Sequence, residues 1–230
     1  MRRSAMIMGT NYKTVARRLS YFEKICEAHH QTLLTNLKGL KEIHFDDMES
    51  SIHTKLKPVS IPLAVSHPRR LILAFDVVSM PAKGPLAAIS RKKYGKRADD
   101  RYRGWHKVLG ASAGLAAANV EVTSDSHTAY PGLIKQHMPL AKHIRTISRR
   151  ACVVGQGELK RGGHDPLFSL NHTAAMYRAN VNRLFRRTWC TSKRIDHLKM
   201  HMTLYRSWHN EMILAKEENR KPSYPFAVVS

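Results

Sequence analysis

The chain is short of acid. Asp and Glu together number 17 in 230 residues, against 39 Lys and Arg, so the formal net charge is +22. That balance attracts polyanions, with counterion release making nucleic acid the preferred partner. An anionic membrane is the competing partner, but no long basic amphipathic helix with bulky apolar anchors stands out. Long apolar runs are missing too. None approaches the roughly 18 residues a bilayer span needs. The start, "MRRSAMIMGTNYKTVARRL", has basic residues but no continuous apolar region, so it does not read as a signal peptide. A cytoplasmic, nucleoid-associated protein is expected. Cysteine is scarce: Cys26, Cys152 and Cys190 are far apart and odd in number, which excludes a disulfide framework and a Cys-x-x-Cys zinc ribbon. The 14 histidines include "EAHHQ" but no second pair at metal-ligand spacing, so they read as surface or core residues. "GQGELKRGG" lacks the Lys-Ser/Thr ending of a phosphate-cradling loop.

What remains is an ordinary core-forming composition. The hydrophobic fraction is 43%, and the length suits one sizeable core or a core with a small appendage. Residues 1–40 read as helical. "SAMIMG" stops at Gly9, and "TNYKTVARRL" restarts a helix capped by Thr10 or Asn11. A short helix, a glycine turn and a second helix carrying Lys13, Thr14, Arg17 and Arg18 has the helix-turn-helix pattern, with an ordinary helical hairpin as the alternative. The pattern starts at Met1 without a supporting helix before it, so the front is expected to be truncated. From Lys41 the period changes to alternation. "KEIHFDDMESSIH" and "KPVSIPLAVSHPRRLILAFDVVSMP" predict three strands in an antiparallel meander. "AKGPLAAISRKKYGKRADDRYRG" is expected to be a surface loop and "WHKVLGASAGLAAA" a small-residue helix. "NVEVTSDS" reads as a strand, "AYPGLIKQHM" as a helix and "KHIRTIS" as a strand. A glycine-bearing loop, "RRACVVGQGELKRGGHDP", leads into a long helix over "PLFSLNHTAAMYRANVNRLFRRT". The final helix carries Leu198, Met202, Tyr205, Trp208 and Met212 as a core stripe. The order predicts an α/β fold with parallel pairing after the meander. A domain at 41–195 is then preceded by the helical segment 1–40 and followed by a helix and tail at 196–230.

Against so few acids, two positions matter. Asp46 lies on the first predicted strand and Asp125 at the exit of the fourth, and these strands can be neighbours. Two converging carboxylates repel unless a cation sits between them. Hard oxygen ligands suit Mg²⁺ or Mn²⁺, and two such ions about 4 Å apart serve phosphoryl transfer. The bland alternative is that both are surface or capping acids.

The stretches "FDDMES", "MPAKGPLAAISRKKYGKR", "SDSHTAY", "FSLNHTAAMYRANVNRLFRRTWCTSK" and "LYRSWHN" occur in an order that resembles the DDE transposases of bacterial insertion sequences, in the broad group around insertion sequence one. The resemblance runs from about Phe45 to Asn210. It implies an RNase H-like mixed sheet flanked by helices, Mg²⁺ or Mn²⁺ as cofactor, double-stranded DNA (terminal repeats and target) as partner, and a homo-oligomer assembled on DNA. It makes Asp46 and Asp125 the first and second metal-binding acids. The third acid of the family lies seven residues before a basic residue, here Arg178, which places it at Asn171. The chain departs from the pattern there: an amide oxygen can coordinate but brings no charge. Asp47, Glu49, Glu158 and Asp165 are the acids that could stand in. The resemblance also makes Arg178, Arg183, Arg186, Arg187, Lys193 and Arg194 DNA contacts or a solvated helix face. Lys92 and Lys93 of "SRKKYGKR" are further phosphate-contact candidates, beside Tyr94. Three readings stay open: an active transposase with two aspartates and an asparagine, a DNA-binding transposase remnant, and a generic RNase H-type nuclease.

Overall fold

Alternation in "LKEIHFDDMESS" and near-continuous burial in "PVSIPLAVS" produce the two strands around which the sheet is built: β1 (Leu40–Ser51) and β2 (Pro58–Ser66). The structure is a computed structural model and describes residues 2–147, 165–185 and 191–224. β1 and β2 pair antiparallel, and β2 is joined on its other side by β3 (Ile72–Phe75) and β4 (Val78–Ser79). Pro62 falls at the break between the β3 and β4 ladders, where a missing N–H costs least. On the far side of β1, β5 (Ala116–Asp125) and β6 (Lys142–Thr146) run parallel to it. The sheet order is β3-β2-β1-β5-β6. The expected meander and the parallel pairing beyond it are both present.

Helices cover both faces. Ile43, Phe45, Val120 and Val122 point to one face and pack on α4 (Arg101–Ala113), α5 (Tyr130–His137) and the end of α2 (Tyr12–Thr35). Met48, Ile61, Leu63 and Ile72 point to the other and pack on α6 (Phe168–Asn180) and α7 (Ile195–Glu217). The molecule is therefore a mixed α/β layer structure. α1 (Arg2–Ile7) precedes α2, with Gly9 at φ 56° in the turn and Asn11 accepting the Lys13 N–H as N-cap. α2 is a single 24-residue helix whose second half buries Cys26, His30 and Leu34; Arg206 of α7 reaches Glu27 at 2.6 Å. His30, one of the "EAHHQ" pair, is a core residue: its Nε2 bonds the Leu73 carbonyl and burial pushes its pKa down to about 4.

Several expectations need correction. The stretch expected as a surface loop contains α3 (Leu86–Tyr94). Its run "LAAISRKKY" has no breaker, and Arg91, Lys92 and Lys93 in the last turn favour the negative end of the helix dipole. Gly95, at φ 73°, ends it. α4 begins four residues before "WHKV" and stops at Gly114, so that "AAA" opens β5 and does not close the helix. The long helix after the glycine loop ends at Asn180, where Val181 turns extended and a 3-10 turn follows at Asn182–Leu184. In the last helix Leu198, Met202 and Tyr205 are buried, but Trp208 and Met212 are each 40% exposed. Asn210 replaces them inside: fully buried, it accepts the Ile72 N–H at 2.8 Å and donates to the Ile72 carbonyl at 2.9 Å, doing for β3 what a further strand would do.

Candidate metal-binding acid pair

The parallel register of β1 and β5 places the two acids. Phe45 is opposite Ser124, so Asp46 and Asp125 are the next positions along their strands. Both lie on the strand face opposite Phe45 and Val122, which are core. β5 ends at Asp125 while β1 continues along β2, so the pair sits at the carboxyl end of a parallel strand, where open α/β sheets bind ligands.

Each carboxylate is held through one oxygen. Asp46 Oδ1 accepts the Asp47 N–H at 2.7 Å and the Tyr130 hydroxyl at 3.3 Å. Asp125 Oδ1 accepts the His127 N–H at 2.9 Å, in a turn that leads from β5 toward α5. The described hydrogen bonds leave Oδ2 of both as the remaining ligand atoms. Burial and then the Asp125 charge push the Asp46 pKa up to about 7. In a protein this basic, neither carboxylate forms an ion pair among the described residues. Two adjacent hard oxygen donors, one of them costly to ionise for lack of a counter-charge, are a donor set that fits a divalent cation such as Mg²⁺ or Mn²⁺.

The neighbouring acids have other work. Asp47 is on the opposite face, as strand alternation requires, where its Oδ2 accepts from Trp105 Nε1 and Ser60 Oγ, both at 2.8 Å. Burial pushes it up to about 6 despite those donors. Glu49 is paired with Lys83 at 2.6 Å in solvent. Asn171 is exposed in the first turn of α6 and its Nδ2 donates to Asp165 Oδ2 at 2.9 Å, which makes Oδ1 the amide's free end for an acceptor role. The start of α6 is docked over β1: Ser169 bonds His67 at 2.9 Å, and His67 stacks on His44, two positions before Asp46. No described contact joins Asn171 to either aspartate, and no group of three or more His, Cys, Asp and Glu among the described residues is placed to hold a metal. Glu158, Arg186 and Arg187 lie outside the described residues.

The basic candidates separate into groups. Lys92 and Lys93 are exposed at the end of α3, where Lys93 Nζ is 5.6 Å from the Tyr94 ring centroid and Lys57 Nζ is 4.2 Å from it. Arg178 is half-buried in the last turn of α6. Lys13 and Arg18 are exposed on α2. Arg17, Arg183 and Lys193, from three separate parts of the sequence, line one cleft.

Sequence reasoning missed Tyr130 and Trp105. Their rings pack at 5.5 Å, with His127 at 5.0 Å from Trp105 and 4.9 Å from Tyr130. This aromatic cluster carries the donors that reach Asp46 and Asp47. The signal available was the position of Tyr130, five residues after Asp125, in a chain with only 7% aromatic residues. Compared with known proteins, the chain matches no family model and no curated protein. No described helix is long and apolar enough to cross a membrane.

Proposed function

We propose that this protein is a metal-dependent DNA transposase with an RNase H-like catalytic fold, cutting DNA at an element end and joining the freed 3′-hydroxyl to a target. The observation that carries the reading is the Asp46–Asp125 pair: two carboxylates in adjacent register, without a cationic partner, on a chain of net charge +22. The sheet supports it. An antiparallel meander continued by two strands parallel to β1 is the arrangement an RNase H-like core requires, and it brings the first and fourth main strands side by side. A bound Mg²⁺ or Mn²⁺ supplies Lewis acidity for in-line displacement at phosphorus. Asp46 and Asp125 would hold it. Tyr130 and the Asp47 amide fix the Asp46 carboxyl so that Oδ2 stays available, and the His127 amide does the same for Asp125. Asn171, its amide nitrogen held by Asp165, is the candidate for a third, uncharged oxygen. The basic surface retains the phosphodiester substrate by counterion release. Both chemical steps replace one phosphodiester oxygen by another and need no covalent bond to the protein.

The test is strand cleavage and joining on a labelled duplex carrying the DNA that flanks the gene, with Mg²⁺ and then Mn²⁺. Asp46→Asn and Asp125→Asn should be silent where the parent cuts, and Asn171→Ala reports whether the amide contributes. A second reading is favoured by one observation: no third acid joins the pair among the described residues. On that reading the chain is a DNA-binding remnant, and the parent binds the duplex without cutting it under either ion.

A further inference from the structure

A second feature of the charge distribution lies away from the acid pair. The first half of α2, the segment before α7 and the first turns of α7 enclose a cleft of about 560 Å³. Arg17, Arg183, Lys193, Arg194, His197 and His201 line it, and among the described residues no Asp or Glu does. Its lining also includes Leu19, which is buried, and Met200, which is half-buried. Arg17, Lys193, Arg194 and His197 are exposed along the rim. Arg194 has a local counter-charge, Asp196 at 2.5 Å, which also anchors its guanidinium at the rim. His201, half-buried in the lining, is held down to about 4 first by burial and then by the Arg183 charge.

We infer that this cleft grips the phosphodiester backbone of DNA as a holding site separate from the acid pair. Cations from α2, from the 3-10 turn and from the segment before α7 line one groove together with the hydroxyl side chains Ser20, Thr191 and Ser192. Arg offers a planar fork to phosphate and Lys a point charge, and the cleft carries both kinds, Arg17 from α2 and Lys193 with Arg194 from the segment before α7. The consequence for α2 is specific. Arg17 acts as one wall of a cleft completed by Lys193, and not as part of a free-standing reading helix, so the grip senses backbone and carries no base sequence. The inference rests on the protein acting on nucleic acid, but it does not require the chemistry at Asp46 and Asp125 to be intact.

The experiment measures binding of the full chain to a short labelled DNA duplex of arbitrary sequence across a salt series. It compares the parent with Arg17→Gln/Lys193→Gln, and with Lys135→Gln/Lys216→Gln as a charge-matched control at exposed helix ends elsewhere. Each lost phosphate contact removes about 0.9 from the slope of log K against log salt, so the cleft variant should lose about 1.8, or ~60-fold in affinity at 0.1 M relative to the 1 M limit. The control should keep the parent slope. Equal losses in the two variants, or an unchanged slope in the cleft variant, overturn the inference. So does loss of binding to phosphatidylserine vesicles with duplex binding intact, which would assign the cleft to a membrane. Cleavage assays on the same proteins separate the two proposals. A parent that never cuts, with a cleft variant that loses slope, sinks the catalytic reading alone. A parent that cuts, with a cleft variant that binds normally, sinks the cleft alone.

Discussion

Asp46→Asn should make the metal-free protein more stable at neutral and alkaline pH. Asp46 is a carboxylate whose pKa is raised from 3.8 to about 7 in the fold, first by burial and then by Asp125. The folded protein therefore keeps a proton that the unfolded chain releases. That stability is fully present below about pH 4 and is lost as pH rises to about 7, above which the ionised group carries its whole penalty. Three pKa units at 1.36 kcal/mol each set a ceiling of ~4 kcal/mol. Asp46 is only partly buried, and solvent halves that to about 2 kcal/mol. Asparagine keeps an Oδ1 for the Asp47 N–H and places an NH₂ near Asp125, so the hydrogen bond survives and the repulsion does not. For a chain of this size, about 2 kcal/mol moves Tm by roughly 4–8 °C. Thermal unfolding in chelator at a series of pH values would show the variant above the parent beyond pH 7 and level with it near pH 4. Added Mg²⁺ or Mn²⁺ should then raise the parent and leave the variant unmoved, since only the parent binds it as a ligand. A variant no more stable than the parent at pH 8, or a difference that persists at pH 4, would refute the argument.

Other substitutions test the frame around the pair. Tyr130→Phe removes a donor to Asp46 Oδ1 and should push the Asp46 pKa higher still, read by NMR titration of the carboxyl carbon. Asn210→Ala leaves the Ile72 N–H and carbonyl without their partner and should cost about 2–4 kcal/mol in urea unfolding, because both groups stay buried. Lys199→Ala should cost about 3–5 kcal/mol in the same assay: Asp76 is 1% exposed, and the remaining cation, Lys107, is 3.7 Å away. Asn210→Leu offers no rescue if the amide's role is strand-like pairing, whereas Asn210→Gln tests how tightly the geometry is set.

The acid pair was legible because strand alternation and strand order are both written in short stretches. "KEIHFDDMES" places Asp46 and Asp47 on opposite faces, and the meander followed by parallel strands brings β1 beside β5. What could not be read depends on groups far apart in the chain. Nothing in "LYRSWHN" says that Asn210 will pair with the Ile72 backbone, or that Trp208 will be left half-exposed beside it. The helix at Leu86–Tyr94 was hidden by the glycines and charges on either side, which match a loop in composition while the run between them matches a helix. Asn171 was correctly placed at the start of α6, but its bond to Asp165 spans a proline turn that local pattern does not encode. The cleft uniting Arg17, Arg183 and Lys193 needs the packing of α2 on α7, which only the complete fold supplies.

Two aspartates stand in succession on β1, and only one of them faces Asp125. A slip of one residue between β1 and β5 would put Asp47 in the place of Asp46 beside Asp125 and would push Asp46 into the core position of Phe45. Both registers offer an acid at the site, so the acids themselves do not choose between them. The choice is made by Phe45 and Ile43, both fully buried, which the slip would turn out of the core. The chemistry of the site is in this sense proofread by apolar residues that never touch it. Trimming Phe45 would blur the identity of the ligand before it unfolded the domain.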